Sequence, residues 1–328
     1  MSPLQSALLA LVVSACCAAA VLWLLLRTGW AWRLATDEPN HRSLHTTVTP
    51  RVGGWGIVVG TLCALAATGA APLWIWPAAG LVAVSFADDR HGLSTGLRFA
   101  IHCLAAGALV ATCDVSWMLA LPVVLLTVWM TNLYNFMDGS DGLAGGMALF
   151  GFGACALAAV WAAQPELAAT AAALAGGAAG FLLFNLHPAR VFMGDAGSIP
   201  LGFLAAALGV AGVLSDAWPV WFVPVVFAPF IADASVTLAR RMLRGERFWQ
   251  AHREHFYQRL VRSGFGHART AWFAYALMAV CAGSALAARA AGGAVASAVL
   301  VLPAVLLLTA GFWIDRRWRA SNNTRDTR

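Results

Sequence analysis

Long apolar runs separated by short polar loops organise this chain. Runs of spanning or near-spanning length cover 4–27, 52–70, 72–87, 97–113, 116–133, 143–163, 167–186, 198–214, 217–240, 269–290 and 294–314. A helix needs about 20 mostly apolar residues to cross a bilayer. The pattern therefore predicts an all-α polytopic membrane protein of about eleven transmembrane helices, with one membrane domain over 1–314 and a polar, disordered tail over 315–328. Composition agrees, since 60% of the 328 residues are hydrophobic and only 11% are charged, which excludes a soluble globular domain. The first run has no basic leader or small-residue cleavage site and is followed by Arg27 and Arg33. It reads as a retained span.

Charge fixes an orientation for these runs. All 21 basic residues are arginine, and arginine collects on cytoplasmic loops. Placing the N-terminus in the periplasm and the C-terminus in the cytoplasm puts 20 of the 21 on the cytoplasmic side, leaving Arg289 opposite. The net charge of +6 then reads as an orientation signal and an attraction to anionic headgroups or phosphates, and nucleic acid is not an expected partner. Seven cysteines sit in or at the ends of spans without metal-binding spacing and imply no disulfide framework.

The acids are one-sided in the same way. Asp88-Asp89 in FADDRHGLS, the run NLYNFMDGSDG, Asp195 in VFMGDAGS and the run HREHFYQR all fall on predicted cytoplasmic loops or helix ends, whereas the other face holds Asp114, Glu166 and Asp216. Carboxylates that only solvated helix ends would occur on both faces, so a functional site is the better reading. Adjacent carboxylates such as Asp88 and Asp89 raise each other's pKa unless a cation intervenes, and hard oxygen donors suit Mg²⁺. Asn132, Asn135 and Asp138 recur every three residues and would share a helical face. Asp138-Gly139 and Asp141-Gly142 then break the helix beside a ligand. Asp195, among small residues at a predicted helix start near His187 and Arg190, suits a place where metal and phosphate meet. His252 and His255 stand among Arg253, Arg259 and the arginines at 240, 241, 244 and 247, a density able to hold phosphates. Asp233 lies inside the ninth run, near Thr237 and Arg240 by helical spacing, and both a structural and a functional role are open to it.

Taken together, DEPNHRSLHTTVTPRVGGWGI, FADDRHGLS, NLYNFMDGSDGLAGG, ARVFMGDAGS and AHREHFYQRL resemble successive signatures of the polyprenyl-phosphate N-acetylhexosamine-1-phosphate transferases, the superfamily of WecA, WbpL and MraY, of glycosyltransferase family 4 type. The resemblance runs in order along almost the whole chain. It implies an enzyme of the bacterial inner membrane with its active site facing the cytoplasm. The implied reaction transfers N-acetylhexosamine 1-phosphate from a UDP-N-acetylhexosamine to undecaprenyl phosphate and releases UMP, as the initiating step of O-antigen, lipopolysaccharide or related cell-envelope glycan synthesis. By motif, Asn135 and Asp195 would ligate Mg²⁺, with Mn²⁺ as a substitute. Asp88, Asp89, Asp138, Asp141, His252 and His255 would be catalytic, and Asn132, Arg190, Arg253, Arg259, Arg51 and His45 would bind substrate. Membrane lipid and a second copy in a homodimer complete the expected partners.

One departure is visible: a third acid or lysine often follows the Asp-Asp pair in the family, where this chain has Gly92. HREHFYQRL is more similar to the hexosamine transferases than to the muramyl-pentapeptide transferases, which remain the alternative. An ion-coupled transporter is the alternative from another class, but it would place its acids near the midplane.

Overall fold

The computed structural model describes residues 1–39, 44–247, 250 and 252–326, and of residues 90, 91 and 323–326 the backbone alone. The helices are α1 (Pro3–Arg27), a short α2 (Trp30–Leu34), α3 (Gly53–Thr68), α4 (Ile75–His91), α5 (Thr95–Thr112), α6 (Trp117–Phe136), α7 (Leu143–Trp161) and α8 (Pro165–Asn185). They continue with α9 (Asp195–Leu214), a short α10 (Phe222–Val226), α11 (Ala228–Leu243), a short α12 (Phe256–Leu260), α13 (His267–Ala291) and α14 (Gly293–Asp326). The strands among the described residues are β1 (Thr36–Asp37) and β2 (Thr49–Pro50), paired antiparallel with Thr36 opposite Pro50.

Every apolar run is helical, but the runs are not equivalent. Eight helices among the described residues (α1, α5 to α9, α13 and α14) are long and apolar enough to cross a bilayer individually. The other three runs fall short for visible reasons. α3 is apolar but only 16 residues long. The last turns of α4 carry Asp88, Asp89 and Arg90. The ninth run breaks at Phe227, where Pro229 opens α11 and has no N–H to continue the ladder. The chain is thus a multi-pass, all-α membrane protein.

The expected disordered tail is corrected. α14 runs unbroken past residue 314 because its polar end is held: Asp315 pairs with Arg240 at 2.8 Å and Arg259 at 2.9 Å, and Arg317 donates to Ser263 Oγ at 3.0 Å.

Packing is centred on α8, whose most apolar window is 89% buried, against 6% for α14 at the rim. Within a bilayer, helices associate where small residues let backbones approach. Gly176 and Gly180 of α8 face α1 so closely that an added Cβ would stand 2.3 Å from the Leu11 carbonyl and 2.5 Å from the Ala15 carbonyl. Gly56 and Gly60 of α3 meet the same helix at Leu22 and Ser14. At one end of the bundle, loops are tied by Ala71 N–H to Glu166, Gln164 to the Ser215 carbonyl and Arg289 to the Ala217 carbonyl. The other end carries the acid motifs.

Candidate active site

Backbone pairing assembles the site. The chain entering α3 lies along the segment entering α9: Phe192 N–H donates to the Pro50 carbonyl, Gly53 N–H to that of Phe192, and Gly54 N–H to that of Met193, at 2.8, 2.8 and 2.9 Å. A Cβ at Gly54 would stand 2.5 Å from the Gly197 nitrogen, so this approach requires glycine. The pairing brings Arg51 to the N-terminus of α9, where its guanidinium is 3.5 Å from Asp195 and 4.0 Å from Asp89.

Asp138, in the turn after α6, shares the field of Arg51 and Asp195. Burial pushes its carboxyl up to about 7, against the pull of Arg51, and Asp195 adds to the push. Burial likewise raises Asp89 to about 6, with Arg51 opposing and Asp195 and Asp88 reinforcing. The backbone amides of Gly194 and Ala196 favour the charged forms of Asp138 and Asp89 respectively. Several carboxylates therefore share one central arginine, an arrangement that calls for more positive charge than the chain supplies.

Asp88 and Asp89 act apart, since neighbouring helical residues point about 100° away from each other. Asp88 accepts from Leu93 N–H at 2.6 Å and from Arg98 at 3.1 Å, closing its own helix onto α5. Arg98 also reaches to 4.0 Å from Asp195.

Beside the acids lies a polar pocket of about 70 Å³, lined by Asp37, His45, Arg51, Asp138, Asp141 and His267 among others. Asp141 accepts from Ala189 N–H at 3.2 Å, with His187 Nδ1 at 2.7 Å and His267 Nδ1 at 3.9 Å. The two imidazoles stack with centroids 5.7 Å apart. His267 Nε2 is 3.2 Å from the Leu44 carbonyl, which can only accept, so Nε2 carries a proton; Nδ1 lies 3.0 Å from Ser140 Oγ. The Asn185 amide holds the pocket's floor, accepting from Gly142 N–H and donating to the Val191 carbonyl, both at 2.9 Å. Asp37, Ser140, Asn185 and His267 were missed by motif reading. His267 had a signal, because it heads a predicted span on the acidic face. Asp37 had little, since only the β1–β2 pairing turns it toward the pocket.

The expected metal ligands come together through a third residue. Ser198, one turn into α9 from Asp195, donates to Asn135 Oδ1 at 2.7 Å. An amide oxygen has a second lone pair, so Asn135 can still ligate. Among the described residues no three His, Cys, Asp or Glu side chains are grouped to hold a metal; Mg²⁺ takes one or two protein oxygens and fills its shell with water and phosphate. The donor set and the crowded carboxylates fit that ion.

The sequence model of glycosyl transferase family 4 matches residues 71–213, from the approach to α4 through α9, and so includes Asp88, Asp89, Asn135, Asp138, Asp141 and Asp195. Over that segment, somewhat under half of its length, the chain is similar to glycosyl transferase family 4. It is 26% identical over 260 residues, 71% of each chain, to a Bacillus subtilis protein described as a probable undecaprenyl-phosphate N-acetylglucosaminyl 1-phosphate transferase. It is 29% identical over 312 residues, 78% of this chain and 77% of the other, to the decaprenyl-phosphate N-acetylglucosaminephosphotransferase of Mycolicibacterium smegmatis. A phospho-N-acetylmuramoyl-pentapeptide-transferase of Moorella thermoacetica is 36% identical, but over 172 residues, 52% of each chain.

Several residues expected to touch substrate stand outside the pocket. Asn132 donates to its own helix at the Val128 carbonyl, 2.7 Å away, because α6 is still regular there. Arg190 donates to the Leu183 carbonyl at 3.0 Å and lies over the Phe184 ring. Arg259 is paired with Asp315, and the Arg253 carbonyl accepts from Arg262 at 3.1 Å. His252 and His255 do not line the pocket; their rings are 4.8 Å apart in the segment leading into α12. His45 and Arg51 do line it. Residues 40–43 of the first motif lie outside the described residues.

Proposed function

We propose that this protein transfers N-acetylhexosamine 1-phosphate from a UDP-N-acetylhexosamine to undecaprenyl phosphate at the cytoplasmic face of the bacterial inner membrane, with its N-terminus in the periplasm. Relatives that align over more than two thirds of their length are named as polyprenyl-phosphate N-acetylglucosamine-phosphate transferases, which supports the reaction class. The observation that carries the reading is the convergence of Asp89, Asp138 and Asp195 on Arg51 at one end of an apolar bundle. Such a site can hold a diphosphate at a membrane surface.

An oxygen of the lipid phosphate attacks the β-phosphorus of the donor. The bond from that phosphorus to the bridging oxygen breaks, and UMP leaves with the electron pair. The lipid phosphate is already ionised near neutral pH, so direct attack needs no strong base, and catalysis is positioning and charge neutralisation. Arg51 neutralises the donor diphosphate. Asp195 and Asn135, with Asp138 or Asp89, would hold Mg²⁺, which supplies the remaining positive charge against the transferring phosphoryl group. Asp141, set by His187 and Ala189, lines the pocket where the nucleotide is oriented. Initiation of O-antigen or a related envelope glycan is the role that fits the product.

UMP release by purified protein in detergent, with undecaprenyl phosphate and each UDP-N-acetylhexosamine in turn, with and without Mg²⁺, tests this. Release that requires lipid and Mg²⁺ is expected. Folded protein that releases no UMP with any donor would refute the proposal.

A further inference from the structure

Asp233 is a buried acid inside α11, and the reaction just described does not use it. Its carboxylate is surrounded by donors, three of them from a segment more than 20 residues away. Oδ1 accepts from Phe256 N–H at 2.9 Å, lies 3.1 Å from His255 Nδ1, and accepts from Thr237 Oγ1 at 3.3 Å. Oδ2 accepts from Tyr257 N–H at 3.0 Å. Asp233 is 8% exposed and His255 3%. A carboxylate that buried is costly unless its oxygens are hydrogen-bonded, and here both are.

The bonds reach further than the carboxylate. α12 has five residues, too few to stand alone, because helix nucleation is unfavourable. Asp233 supplies acceptors for its first amides and so holds it in place. From α12, the Tyr257 hydroxyl donates to the Phe136 carbonyl at 3.2 Å, where α6 ends, and accepts from Gln258 Nε2 at 3.2 Å. Two residues beyond Phe136 is Asp138. The same hydroxyl leaves no room beside Gly139, where an added Cβ would stand 2.2 Å from it. A continuous path therefore runs from Asp233 through α12 and Tyr257 to the turn that presents Asp138.

Resting on the reaction proposed above, we infer that Asp233 is a positioning residue for it, acting in two ways. It holds Tyr257 against the end of α6 and so sets the Asp138 turn. It also fixes His255: a carboxylate can only accept, so ring Nδ1 donates to it and the ring is held in one orientation. The ring lies against Phe136 and Tyr257, with centroids at 6.3 and 5.9 Å. The spacing of HREHFYQ follows from this: His255, the Phe256 amide and Tyr257 meet one carboxylate, and Gln258 meets the Tyr257 hydroxyl.

Asp233→Asn tests the inference with little change of shape. One oxygen becomes an NH₂ donor facing groups that also donate. The expected result is a fall in kcat for UMP release of about tenfold or more, in the range found when a partner that orients an active group is removed. A double-mutant cycle separates positioning from bulk stability. In a His255→Gln background the same substitution should cost about threefold less than in wild type, because the route through His255 is already gone while the route through Tyr257 remains. Equal losses in both backgrounds, or unchanged kcat in Asp233→Asn, would overturn the inference.

If Asp233→Asn is not recovered as monodisperse protein, Tyr257→Phe decides. It leaves the contacts of Asp233 in place and removes only the hydroxyl, with its bonds to the Phe136 carbonyl and Gln258 Nε2. A fall in kcat of about threefold or more, with donor KM within about twofold, is expected for a displaced catalytic turn, and unchanged kcat overturns the inference. Absence of turnover in the unsubstituted protein would instead count against the proposed reaction.

Discussion

Arg51 stands between Asp195 and Asp89 with Asp138 in the same field, so single substitutions here should separate chemistry from stability. Asp195→Asn is predicted to abolish UMP release while the protein stays folded and membrane-inserted; substantial turnover would remove Asp195 from the site. Asn132→Ala, by contrast, should keep turnover within about threefold of wild type, because its amide bonds the Val128 carbonyl of its own helix and the His102 imidazole of α5, away from the acid cluster. His252 offers a pH test. Burial, reinforced by His255 and Arg241, holds its imidazole down at about 4, so the fold keeps it neutral while the unfolded chain takes up a proton near 6.5. Stability is therefore full above about pH 6.5 and falls as pH drops toward 4. A His252→Gln variant should lose less melting temperature than wild type between pH 7 and pH 5; parallel losses would contradict the assignment.

At the scale of elements, close packing of small residues does work that hydrophobic burial cannot do among lipid tails. The seam of α8 on α1 has no room even for a methyl group at Gly180. Gly180→Leu should therefore destabilise the bundle by about 1–3 kcal/mol or more, the usual cost of overpacking, read as a lower melting temperature in detergent. The polar end of α14 is a second such joint. Asp315 holds both Arg240 and Arg259, so Asp315→Asn should loosen the segment at 252–265 and increase its proteolytic cleavage. Unchanged cleavage would make the pairs incidental. Both joints were invisible to motif reading. A hydropathy window reports how apolar a helix is but not which of its faces a neighbour touches, and the charges of Asp315 and Arg317 read as tail because the partners that hold them, Arg240, Arg259 and Ser263, lie more than 50 residues away.

For the molecule as a whole, the two ends are chemically different. One holds the acid cluster, and the other is tied by Glu166, Gln164 and Arg289. If the first end faces the cytoplasm, a cysteine placed at Asp216 in a variant lacking the native cysteines should react with a membrane-impermeant maleimide in intact cells. One at Ser321 should react only after permeabilisation. The reverse pattern would invert the proposed orientation.

Hydropathy and the placement of arginine determined the membrane character, the helical runs and the gathering of acids at one face, because the bilayer imposes those constraints on each segment separately. Local order along the chain likewise marked Asp89, Asn135, Asp138, Asp141 and Asp195, whose glycine neighbours announce turns beside a ligand. Only the tertiary structure decided which of these meet. It split Asp88 from Asp89, turned Asn132 and Arg259 to structural partners, brought Asp37 and His267 to the pocket, and set Asp233 beneath His255. Those outcomes depend on which helices pack together and on pairings such as Pro50 with Phe192, contacts between residues far apart in the chain that no local pattern encodes.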